Sequence, residues 1–214
     1  MSALVHYDAG ADGIAVLTLD DPPANTYSYE MMKQLDAAIL EARMDAAVHA
    51  LLLRGAGEKF FCAGADIKML ATAEPRFKYN FCLHANETLN RLEQTPKPVI
   101  AALGGHCVGG GLEVALAADL RVARAHTLGL VNVVFEGDDF WGQVAAYAQQ
   151  FVPPGKAARA VGRIKRAVQS GLETDLASGL ALERELQQQL FESADAREGI
   201  TAFSEKRKPQ FTGK

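Results

Sequence analysis

Lys97-Pro-Val-Ile-Ala-Ala-Leu-Gly-Gly-His-Cys-Val-Gly-Gly-Gly-Leu-Glu113 is the stretch on which the reading of this chain turns. Val99 to Leu103 is a short β-branched, apolar run that predicts a strand. Glycines follow, and a small-residue helix is expected from Gly109 to about Ala118. A strand feeding through glycines into a helix start leaves backbone N–H groups without intrahelical partners, at the positive end of the helix dipole. Such a corner stabilises a negative oxygen. Glu113, three residues beyond Gly110, points from the first turn toward the same end. An anion hole beside a carboxylate equips a site for enolate chemistry.

A second corner has the same design. Glu58-Lys-Phe-Phe-Cys-Ala-Gly-Ala-Asp-Ile-Lys68 follows another apolar run, Ala50 to Arg54, and again enters a helix through a glycine. Two such corners could each offer one N–H to a single oxygen.

The composition sets bounds on partners. At 214 residues, 49% hydrophobic and 22% charged, the chain can bury a sizeable core. A net charge of −4 gives no basis for a nucleic-acid partner, which would call for a basic surface. No apolar run approaches a membrane span, and Met1 to Gly10 lacks the charged and apolar segments of a secretion signal, so a cytoplasmic protein without membrane contact is expected. Cys62, Cys82 and Cys107 have no metal-like spacing. They read as buried free thiols in a reducing compartment, and no metal site is expected. Gly104 to Gly109 fits Gly-x-x-x-x-Gly but lacks the Lys-Ser/Thr that a phosphate-binding loop needs.

Along the chain, Leu4 to Tyr7 and Gly13 to Leu19 predict a hairpin, Tyr29 to Arg43 a helix, and His49 to Arg54 a strand. Arg76 to Glu93 predicts a helix with Phe77, Phe81, Leu83, Ala85, Leu89 and Leu92 on its apolar side, stopped by Pro96 and Pro98. Asp119 to Ala123 predicts a further strand. Strand–helix alternation of this kind implies parallel βαβ units and the α/β class. After Asp138 only helices are expected: 140–151, 156–170, 173–191 and 194–206. The chain therefore divides into residues 1–137 and a helical region, 138–214, whose apolar stripes need a cover.

The two glycine corners, with Asp21-Pro-Pro-Ala-Asn-Thr26 and Phe203-Ser-Glu-Lys-Arg-Lys208, closely resemble the crotonase (enoyl-CoA hydratase/isomerase) superfamily, with a pattern nearest to enoyl-CoA hydratase. The resemblance implies a spiral of repeated ββα turns and a C-terminal all-helical region that builds a homotrimer or a dimer of trimers. It implies an acyl-CoA thioester as substrate and no separate cofactor. By the resemblance, Ala65 and Gly110 carry the two oxyanion-hole N–H groups and Glu113 is the acid/base. Coenzyme A would lie against Ala24, Ala63, Asp66 and Ile67, with Lys206, often from an adjacent subunit, near its phosphates. The implied reaction is addition of water to a trans-2-enoyl-CoA. An isomerase or hydrolase of the same family, or a non-catalytic CoA-binding scaffold, stays open as the alternative.

Each of these residues also has a plainer reading. Glu113 could be a first-turn acid favoured by the dipole, Gly109 to Gly111 packing glycines, and Lys206 to Lys208 a solvated basic end. His106 reads as a surface or packing histidine, Asp66 and Asp119 as local hydrogen-bonding groups.

The resemblance breaks at one point. In the family, the strand matching Asp119 to Ala125 leads into another ββα turn before Gly-Leu-Val-Asn is reached. Here His126 is followed almost at once by Gly129-Leu-Val-Asn132. The absent turn carries the second catalytic glutamate of hydratases and part of the acyl pocket; Glu136 and Asp138 lie beyond its expected place. Two readings are open: a segment of the natural protein not represented in this sequence, or a shortened relative that has lost one carboxylate. Intact motifs on both sides, and the core that loss of a turn would expose, favour the first.

Overall fold

The computed structural model describes residues 2–123 and 130–214. The chain opens with the antiparallel hairpin β1 (Val5–Ala9) and β2 (Ile14–Leu19), then α1 (Tyr29–Met44) and β3 (Ala50–Gly55). Next come β4 (Phe60–Cys62), α2 (Ile67–Thr72) and α3 (Pro75–Glu93), then β5 (Val99–Leu103), β6 (His106–Cys107) and α4 (Gly110–Leu116). β7 (Leu120–Ala123) and β8 (Val133–Val134) precede α5 (Phe140–Gln149), α6 (Ala158–Leu172), α7 (Leu176–Phe191) and α8 (Ala194–Ser204).

The main sheet runs β1-β2-β3-β5-β7-β8, parallel from β2 onward, and β4 pairs with β6 in a separate two-stranded sheet. β3-β4-α2 and β5-β6-α4 are thus successive ββα turns. Each sends a long strand into the main sheet, a short one into the small sheet, and the chain back through a helix. This is the α/β architecture expected from the sequence.

Alternation on the central strands fills two cores. Leu51 and Leu53 of β3 and Val99 and Ala101 of β5 face α1, α3 and α4, where Met32, Leu35, Ile39, Phe81, Leu92 and Val114 are buried. Ala50, Leu52, Ile100 and Ala102 point the other way, against Phe140, Val144 and Ala148 of α5. A strand buried on both faces reads as a continuous apolar run, as Val99 to Leu103 does. α5 therefore belongs to the core, and the division drawn at residue 138 cuts between the sheet and one of its covering helices.

α1 starts where Ser28 accepts the Met31 N–H at 3.2 Å. It ends where the Lys97 ammonium donates to the carbonyls of Ala42 and Asp45 at 2.5 and 2.6 Å. The buried face of α3 is Phe81, Ala85, Thr88 and Leu92, which corrects the sequence expectation. Leu83 and Phe77 are largely exposed, and Thr88 is buried because its hydroxyl donates to the His84 carbonyl at 2.9 Å. Cys82, one step past Phe81 on the helix, is exposed rather than buried.

Candidate active site

Asn25 ties the first corner together. It is 3% exposed, and its Nδ2 donates to the carbonyls of Ala56 and Phe60, both at 3.0 Å. Its Oδ1 accepts the Asp21 N–H at 3.2 Å. A φ of +50° at Asn25 turns the chain inward, a conformation asparagine tolerates better than most residues. The turn delivers Ala24 and Tyr27 to the segment after β4. There Ala63 N–H donates to Ala24 O (3.1 Å), Tyr27 N–H to Gly64 O (2.9 Å), and Asp66 N–H to Tyr27 O (3.0 Å). These two bonds to Tyr27 bracket Ala65 and leave its own N–H pointing away from that ladder.

The second corner lies directly against the first. β6 is held to the β4 segment by His106 N–H to Lys59 O (2.8 Å) and Val108 N–H to Cys62 O (3.2 Å). Glycine is required at both crossings: Gly64 has φ +95° and Gly109 φ +55°. A β-carbon on Gly64 would stand 3.0 Å from the Gly110 nitrogen, and one on Gly111 would overlap the Cys62 carbonyl. Among the described residues, nothing accepts a hydrogen bond from the N–H of Ala65 or of Gly110. Two unpartnered amides from separate corners are therefore brought together. Glu113, exposed on the first turn of α4, lies within electrostatic reach of the same place, where its charge acts on the Tyr27 phenol.

α4 has only seven residues, ending at Leu116 rather than near Ala118. With so short a helix, the corner is better described by its individual amides than by a macrodipole.

The other predicted site residues divide. Ala24, Ala63, Asp66 and Ile67 share the Ala65 corner. The Asp66 carboxylate is occupied as the N-cap of α2, accepting from the N–H groups of Lys68 (2.8 Å) and Met69 (3.3 Å), so its backbone is what remains for a ligand. The Ile67 side chain is exposed. Lys206 follows α8 and, among the described residues, has no bond to that group. His106 packs its ring on Phe60, 5.4 Å between centroids, as a packing histidine does. His126 lies outside the described residues.

Sequence reasoning missed Tyr27. Its ring is buried against Phe81, with centroids 5.9 Å apart, and its hydroxyl lies against Gly110, where a β-carbon would overlap it. Burial, reinforced by the Glu113 charge, pushes its phenol up to about 12. The Cys107 thiol is likewise pushed up to about 12, mainly by burial, and Cys62 is raised for the same reason. Neither is an activated thiol. No grouping of three or more His, Cys, Asp or Glu suited to a metal occurs among the described residues, and none of their helices is long and apolar enough to cross a membrane.

With this geometry in view, the comparisons with known proteins agree on one family. The profile of the Enoyl-CoA hydratase/isomerase family matches residues 9–128 and, separately, 121–214. The chain belongs to this family, the crotonase superfamily. The short-chain-enoyl-CoA hydratase of Clostridium acetobutylicum is 31% identical over 246 positions, covering 91% of this chain and 92% of that protein. The mitochondrial methylglutaconyl-CoA hydratase of Mus musculus is 28% identical, covering 97% of this chain and 82% of that one. The crystal structure of an enoyl-CoA hydratase from Geobacillus kaustophilus HTA426 superposes with a TM-score of 0.93 at 34% identity, covering all of this chain and 98% of that one.

The interruption reappears in these matches. The two family matches meet across residues 121–128, the interval that contains His126. The Clostridium alignment runs over more positions than this chain has residues, so that relative holds residues with no counterpart here. β7 and β8 are parallel neighbours separated in sequence only by residues 124–132, fewer than a helical crossover normally takes.

Proposed function

We propose that this protein is an enoyl-CoA hydratase, adding water across the double bond of a trans-2-enoyl-CoA. The observation that carries the proposal is the pair of unpartnered amides, Ala65 N–H and Gly110 N–H, set side by side with Glu113 on the turn that follows. They would hold the thioester oxygen and stabilise the enolate as charge develops, each donor contributing about 3–4 kcal/mol to lowering the barrier. Glu113 would take a proton from the water that adds to C3 and return it to C2 as the enolate collapses. Ala24, Ala63, Asp66 and Ile67 would hold coenzyme A through their backbone, with Lys206 of this chain or a neighbouring copy at its phosphates. No redox or metal cofactor is needed for this chemistry.

The test is hydration of crotonyl-CoA by wild type and Glu113→Gln. Loss of turnover with retained CoA binding supports the assignment. Activity within a few-fold of wild type removes Glu113 from the mechanism.

One observation favours a second reading. Among the described residues Glu113 is the carboxylate whose charge acts on Tyr27 at the paired amides, and the given sequence holds no counterpart of the segment that bears the second one in hydratases. Moving a proton between C2 and C4 of a 3-enoyl-CoA needs only one carboxylate, so isomerisation of that substrate without hydration would favour an isomerase.

Assembly into a trimer or a dimer of trimers is part of this proposal. α6 to α8 expose Ile164, Val168, Leu172, Leu176, Ile200 and Phe203, Leu172 at 81% and Phe203 at 86%. Apolar exposure on that scale marks a contact surface, and closed symmetry is the usual solution. Light scattering that showed a stable, fully active monomer at micromolar concentration would count against it.

A further inference from the structure

We infer that the Tyr27 hydroxyl is a third donor at the paired-amide site, giving a side-chain hydrogen bond to the reacting acyl group of a bound thioester. The inference rests on the acyl-CoA reading above and adds to it a residue that the two backbone corners do not supply. Three features of Tyr27 carry it.

The first is position. The main-chain bonds to Gly64 and Asp66 fix Tyr27 directly opposite Ala65, one of the two amide donors, and its ring ends on Gly110, the other. A β-carbon at Gly110 would stand 2.8 Å from Tyr27 Cε1 and Cζ and would overlap the hydroxyl oxygen. The phenol end therefore lies at the junction of the two corners. Its place is set by strand-like pairing at one end and by contact with Phe81 along the ring.

The second is an unused hydrogen bond. Among the described residues no hydrogen bond reaches the Tyr27 hydroxyl, and it is not one of the sealed, unpaired polar atoms, so it stays open to solvent or to a ligand. In this it differs from the Tyr7 hydroxyl, which is sealed inside the protein without a partner. Packing alone would be served by phenylalanine, which brings no polar atom to satisfy; Phe81, in contact with the same ring, shows that the cluster accommodates one.

The third is protonation. Burial and the nearby Glu113 charge keep the phenol protonated through the neutral range, so it acts as a donor there. A donor beside developing negative charge is strengthened as the charge grows, which is the requirement for lowering a barrier rather than only tightening binding.

The test uses Tyr27→Phe in the intact chain, with acetoacetyl-CoA as the probe. Its enolate and keto forms differ in ultraviolet absorption, so a titration reads the apparent pKa of the bound ligand. Loss of the hydroxyl is expected to raise that value by roughly one unit, equivalent to about tenfold in enolate stabilisation, with free CoA affinity and melting temperature unchanged. A purely packing role for Tyr27 would not move the bound ligand's titration. Identical titrations for wild type and Tyr27→Phe would overturn the inference while leaving the paired amides in place. A wild type that leaves the ligand's titration where it is in solution would overturn the acyl-CoA reading, and this inference with it.

Discussion

Lys165 Nζ stands 2.8 Å from Asp119 Oδ2, an ion pair that pins α6 to the turn before β7. The lysine side chain is 7% exposed and the aspartate 23%. The same carboxylate oxygen accepts the Val99 N–H at 2.7 Å, so helix, turn and central strand meet at one atom. Burial lowers the Lys165 pKa, and the Asp119 charge partly offsets that effect. Removing the ammonium leaves a half-buried carboxylate facing only one amide. Lys165→Ala is expected to destabilise the protein by about 2–3 kcal/mol, below the full cost of breaking a buried pair because Asp119 keeps some water. Chemical denaturation reads this directly, and a loss under about 0.5 kcal/mol would reduce the pair to a surface contact.

Asn25 should be a stability and activity position at once. Asn25→Ala removes the donor to two partly buried carbonyls and places alanine at φ +50°. A loss of roughly 2–4 kcal/mol is expected. Because Asn25 aims Ala24 and Tyr27, CoA affinity should fall as well at a temperature where the variant is still folded. Unchanged affinity in a destabilised protein would limit Asn25 to a structural role.

Cys107→Ala should be nearly silent in turnover. The thiol donates to the Gly111 carbonyl at 3.3 Å, and burial holds it far from ionisation near neutral pH. A variant that folds but is inactive would bring a thiol mechanism back into consideration.

The C-terminal tail supplies a pH dependence. Arg207 forks onto Glu198 at 2.6 and 2.9 Å and, with the Gln210 N–H, holds its carboxyl down to about 2 from an ordinary 4.5. A carboxylate whose folded pKa is depressed contributes stability above its unfolded pKa and loses it as pH falls through the folded one. The difference in melting temperature between wild type and Glu198→Gln should thus be constant above about pH 5 and shrink to nothing near pH 2. A difference that does not change with pH would mean that the fork carries no linkage.

The central strands were legible because burial on both faces leaves an unmistakable apolar run: Val99–Leu103 matches the prediction residue for residue. β4 and β6 were not, since three and two residues carry no periodicity, yet they hold the two amide corners together. The roles proposed for Ala65 and Gly110 came from family resemblance, because an amide donor leaves no mark on residue type. Tyr27 was missed between an asparagine and a helix cap; only contact with Gly110, far away in sequence, distinguishes it from core filling. Lys165 carried no signal of its own, since nothing in a basic helix marks the one lysine that has Asp119 beneath it.

The pairing of β4 with β6 rests on two register partners, Phe60↔His106 and Cys62↔Cys107, whereas β2 and β3 share six. So brief a ladder can open at a lower free energy than the main sheet. The spacing of the two amides therefore has its own melting behaviour. On heating, the small sheet is expected to give way before the large one, letting the corners drift apart inside a molecule whose main sheet is still intact. Hydrogen exchange at Val108, whose amide bridges to Cys62, would report that opening well ahead of the amides of β3 and β5.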